Sequence, residues 1–262
     1  MVIHRSKIRY FAVAAALALL AATDVSASES GIQSFRAQKS INAGKFARGY
    51  GQLERALLAS RKEADLRAEG RILISMAQIR TMSLDLDFAD SLLSNVRKDI
   101  LDTNTLILLN KAKMAIANER GNYKEVVSTC SSVEKELLSK ADKPAQAAFY
   151  GECAIAQAAA HQDYSEALKM AGKRSDKSGG FYALTAARVA ELSGNISEAD
   201  SLYKVAEKKS IEGNKPYNTA TILYYRSNLK VTPKDEAADL KMRCKNAFEL
   251  MGLPNNAKRC AE

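Results

Sequence analysis

The residues of this chain with the clearest chemical potential are its four cysteines, at 130, 153, 244 and 260. Thiols at such positions either bridge one another or hold a soft metal. Zinc needs close cysteine pairs or histidines at short spacing. Here the nearest cysteines are Cys244 and Cys260, and the only histidines are His4 and His161. Disulfides are therefore the expected chemistry, and four cysteines allow three pairings. In an antiparallel helical hairpin, two residues face each other when they lie equally far from the turn. Cys130 and Cys153 are centred between Ala141 and Asp142, inside the turn-like run Lys140 to Pro144. Cys244 and Cys260 are centred on Gly252, in Met251-Gly-Leu-Pro254. The symmetry predicts Cys130 with Cys153 and Cys244 with Cys260, the first tying one unit to the next and the second pinning a C-terminal capping helix. Each closes a short loop, worth on the order of 3 kcal/mol through the lost entropy of the unfolded chain.

Other chemistry-bearing residues point to structure. His161 follows an alanine run at an expected helix end, where terminal carbonyls satisfy an imidazole. Asp85, Asp87 and Asp90 sit at a helix start, where carboxylates favour the positive end of the dipole, and they fall short of the ligand count of a calcium loop. Asn195-Ile-Ser197 is a glycosylation sequon only in a eukaryotic source and otherwise reads as a turn. No nucleophile elbow, phosphate-cradling glycine loop or His-Glu-x-x-His pattern occurs. The expectation is a protein that is not an enzyme, with no cofactor and no metal.

The elements that position these residues repeat. A small or turn residue, a polar residue and an apolar residue are followed by a small residue three positions on, then by larger apolar ones. The phrase occurs at Gly44-Lys45-Phe46 with Gly49, Leu53 and Ala56, and at Leu84-Asp85-Leu86 with Ala89, Leu93 and Val96. It recurs at Gly121-Asn122-Tyr123 with Val126, Cys130 and Val133, at Gln162-Asp163-Tyr164 with Ala167 and Ala171, and at Gly194-Asn195-Ile196 with Ala199, Tyr203 and Ala206. Each phrase ends one helix and starts a second whose small and apolar residues form one buried stripe. Four prolines and no tryptophan suit long helices.

These units resemble tetratricopeptide repeats, most clearly over 187–206 and 154–171, although Leu84 replaces the usual turn glycine and the spacings exceed the family's usual period of about 34. Pro144 is the one survivor of the helix-terminating proline. The resemblance implies an all-α, right-handed superhelical solenoid of antiparallel helix hairpins, with about five to six repeats. It would occupy 28–215, with a degenerate last hairpin at about 216–229 and 234–251 and a capping helix, together 216–262. It further implies a concave face lined by the first helix of each hairpin. By spacing, that face carries Arg71, Ile74, Gln78, Lys111, Ala115, Asn118, Glu152, Arg188, Leu192 and Arg226. Arg71, Lys111, Arg188 and Arg226 would give it a positive lean suited to a carboxylate terminus or an acidic segment.

The N-terminus reads as a secretory signal peptide: Arg5, Lys7 and Arg9, then an apolar run from Phe11 to Ala22, then a polar stretch ending Val25-Ser26-Ala27. The run is shorter than the roughly 20 residues of a spanning helix, so cleavage after Ala27 is preferred over an uncleaved anchor. The expected destination is the periplasm or the exterior of a bacterium, with no transmembrane segment in the mature chain. Cleavage removes three basic residues and one acidic, lowering the net charge from +9 to +7. That charge is spread evenly along the chain, so no nucleic-acid partner is expected. The expected function is a scaffold or adaptor that binds a protein or peptide of an envelope complex. The alternative is a module for an anionic envelope polymer, peptidoglycan or lipopolysaccharide, met by diffuse charge or by the basic stretch 169–177, which otherwise reads as a flexible loop.

Overall fold

A computed structural model describes residues 28–175 and 180–262; the expected signal segment and residues 176–179, which include the last two of the basic stretch, lie outside the described residues. The described chain is all-α: α1 (Glu29–Asn42), α2 (Phe46–Lys62), α3 (Leu66–Met82), α4 (Leu86–Ser94), α5 (Thr103–Glu119), α6 (Tyr123–Ser132), α7 (Lys135–Lys140), α8 (Lys143–Ala159), α9 (Ser165–Arg174), α10 (Gly180–Leu192), α11 (Ile196–Glu212), α12 (Pro216–Ser227), α13 (Lys234–Leu250) and α14 (Pro254–Ala261). A short 3-10 turn, Lys98–Ile100, follows α4. Helices pack as sequential pairs, α1 with α2, α3 with α4, α5 with α6, α8 with α9, α10 with α11 and α12 with α13, and α3, α5, α8 and α10 each touch the next.

The recurring phrase has one local geometry. At each turn a left-handed residue lets two amides reach back to the carbonyls of the preceding helix, so the helix end is satisfied without a side chain. Gly44 donates to Ile41 O at 2.9 Å and Lys45 to Ser40 O at 2.9 Å; Gly121 and Asn122 do the same to Asn118 O and Ala117 O at 3.0 and 2.8 Å. Leu84 and His161 take the left-handed conformation in the copies without glycine, with φ of 59° and 55°. His161 is thus a turn residue, exposed, with its amide bonded to Ala158 O. The residue three positions after the apolar anchor is buried in every copy: Gly49, Ala89, Ala167 and Ala199, which are small, and the larger Val126. At Gly49 the approach is so close that an added Cβ would lie 2.5 Å from Ile41 Cγ1.

Three of the first helices, α3, α5 and α8, begin differently, on aspartates. Asp65, Asp102 and Asp142 accept hydrogen bonds from the amides of Ala68 (2.9 Å), Thr105 (2.8 Å) and Ala145 (2.7 Å). Pro144, expected to end a helix, instead lies in the first turn of α8, where its missing N–H costs nothing. The unequal spacing of the phrases has a visible source: α7 is an extra helix between α6 and α8, and the 3-10 turn lengthens the link from α4 to α5.

Both expected cysteine pairs lie at disulfide distance, Cys130 with Cys153 and Cys244 with Cys260, each with Cα atoms 5.9 Å apart. The first joins α6 to α8 and the second α13 to α14. The observed α12 and α13 fall within two residues of the expected last hairpin. Their packing extends beyond their neighbours, because one hydrophobic cluster joins Ala37, Ile41, Phe46 and Leu53 of α1 and α2 to Leu223, Phe248, Leu253 and Ala257 of α12 to α14. The Phe46 and Tyr217 rings are 5.6 Å apart, and the Tyr217 hydroxyl donates to Met82 O at 3.2 Å. Among the described residues no helix is long and apolar enough to cross a membrane.

Ala64 also holds a left-handed φ, 54°, and is exposed. Ala64→Gly should raise stability by about 0.5–1 kcal/mol, and Gly121→Ala, with open space around its Cβ, should lower it by about 1 kcal/mol from backbone strain alone. Urea unfolding of both variants checks the pair, and equal midpoints would contradict it.

Candidate partner-binding face

The residues expected on a binding face lie on α3, α5, α8, α10 and α12, and the structure brings only some of them together. Lys111, Asn118 and Glu152 come together across α5 and α8: Lys111 Nζ lies 3.6 Å from Glu152 Oε1, and Asn118 Nδ2 donates to Glu152 Oε2 at 2.9 Å and to its backbone carbonyl at 3.2 Å. Arg71 stands beside Asp102, the cap of α5, at 3.8 Å, and both are partly exposed. Arg188 donates to Glu191 at 2.6 Å and lies 4.0 Å above the Tyr225 ring. Ala115 and Leu192 are half-buried.

The other expected residues are interior. Ile74 is fully buried against Leu73, Ala77 and Ala89, and Gln78 is buried beside it on the same helix. Arg226 is 6% exposed and holds three carboxylates, Asp200 at 3.4 Å, Glu207 at 2.7 Å and Glu236 at 2.7 Å. Arg243 adds a second contact to Glu207 at 3.3 Å. Arg226 therefore ties α11, α12 and α13 together. The signal for this is in the sequence: Ala220, Leu223 and Arg226 share one helical stripe, and the first two are apolar. The positive lean is corrected as well. Arg71, Lys111, Arg188 and Arg226 each have a carboxylate within 4 Å, so the face presents paired donors and acceptors.

Two arrangements escaped sequence reading. Arg120 bonds both Asp87, at 2.7 Å, and Asp90, so a guanidinium fills the acidic cluster at the start of α4. The second is an aromatic and arginine cluster formed by α10, α11, α12 and α14 beside the end of α5. Tyr225 stacks on Tyr203 with centroids 5.8 Å apart, Tyr224 packs against Tyr225 at 5.4 Å, and Arg259 lies 4.4 Å above Tyr224 while pairing with Glu119 at 3.1 Å. Tyr203 is fully buried and Tyr217 and Tyr225 partly so, and this burial pushes their hydroxyl pKa values up, to about 12 for Tyr225. Burial works against the charge of Arg188, but Tyr225, Tyr203 and Glu191 outweigh it and hold its pKa above the usual arginine value.

Among the described residues, no group of three or more His, Cys, Asp or Glu side chains is placed to hold a metal. Compared with known proteins, the chain matches no family model and no curated sequence.

Removing the cation at the centre of three carboxylates leaves them unbalanced in a dry setting. Arg226→Met should cost about 3 kcal/mol or more, read as a loss in the free energy of urea unfolding; a change below about 1 kcal/mol would contradict the assignment. The buried tyrosines set the alkaline limit. Their folded pKa values lie above the ordinary value, so the stability they supply is fully present below pH about 10 and is lost as pH rises through the raised values. Tyrosinate absorbance should show a late step that coincides with loss of helical circular dichroism above pH about 11. A single reversible titration with the fold intact would contradict it.

Proposed function

We propose that this protein is an exported, non-enzymatic adaptor of tetratricopeptide type, its hairpins stacked as a right-handed superhelix that binds a protein or peptide segment along the concave face of its first helices. The observation that carries the reading is the unbroken neighbour series α3, α5, α8 and α10, which offers partly exposed Arg71, Lys111 and Glu152 on adjacent helices. The Arg71–Asp102 pair, 32% and 47% exposed, exchanges readily for a partner's groups because a half-exposed pair is worth little on its own, whereas Lys111 and Glu152 are 23% and 17% exposed. An extended segment carrying carboxylates could take Arg71 and Lys111 while its amide groups meet Glu152 and Asn118. Export is supported by the signal-like first 27 residues and by two disulfides in one chain, since such bridges persist in oxidising compartments.

The oxidised mature protein, immobilised, is expected to retain a defined envelope protein from extracts of the source cell. Arg71→Glu combined with Lys111→Glu should reduce retention at least about tenfold, the equivalent of about 1.4 kcal/mol, without changing the circular dichroism spectrum. Unchanged retention by the double variant refutes the face. Retention that collapses with salt and involves no protein would favour an anionic polymer instead.

A further inference from the structure

We draw no further inference here: the strongest candidate, the side-chain cluster of Arg188, Glu191, Tyr203, Tyr225 and Arg259 between α10, α11, α12 and α14, is already engaged by its own ion pairs and ring contacts, and nothing in the structure shows what would occupy it.

Discussion

Close approach between the two helices of each pair is the constraint on which the rest of the structure depends. It favours a residue of little volume one turn into each second helix, and Gly49, Ala89, Ala167 and Ala199 meet it while buried, with the bulkier Val126 standing there only in α6. Interiors are close-packed, so even one added methylene there forces a shift; at Gly49 the space for a Cβ is already taken by Ile41. With the pairs fixed, the first helices are left free to pack on one another, and α3, α5, α8 and α10 form their series. The residues available to a partner are those this packing leaves half-exposed.

Local features were legible in the sequence because their causes are local. The phrases located the turns, and the hairpin symmetry of the cysteines gave both pairings, since neither needs knowledge of distant residues. Leu84 and His161 hold left-handed turns that a glycine rule passes over; the two backbone bonds they complete outweigh a strain of about 1–2 kcal/mol. Extra elements were missed where they break the repeat: α7 has no counterpart in the other units. The face residues were the least legible, because burial of a long side chain depends on what comes to meet it. Arg226 looks like a surface cation until Asp200, Glu207 and Glu236 arrive from α11 and α13. Ile74 and Gln78 lie on the same helix as Arg71, and only the packing of α4 and α5 separates the interior positions from the exposed one.

Electrostatics follow the same division. A net charge of +9 invites a reading in terms of anionic partners, yet many arginines are engaged by the protein's own groups. Arg120 neutralises Asp87 and Asp90 at the surface, Arg80 pairs with Asp85 at 3.3 Å and lies over the rings of Tyr50 and Phe88, and Arg188 and Arg259 lie over tyrosines. Guanidinium suits these places because it is planar, stacks on rings and is weakly hydrated, so burying it costs less than burying an ammonium. Many lysines instead stay at the rim, as Lys169 does beside Glu166.

The meeting of the two ends changes how such an array behaves. In a linear series of hairpins each unit touches its neighbours, and the terminal units need polar outer faces to stay soluble. Here the apolar residues of the first hairpin, Ile41, Phe46 and Leu53, share a cluster with Leu223, Phe248 and Leu253 of the last elements, so each end caps the other. Closing a long loop costs little more entropy than closing a moderate one, since the penalty grows only with the logarithm of length. The apolar area gained is proportional to contact and is not diluted by that distance. Contacts such as Tyr217 to Met82 and Asn255 to Ser83 therefore couple the stability of α1 to α3 with that of α12 to α14, and fraying at either end removes the cover of the other.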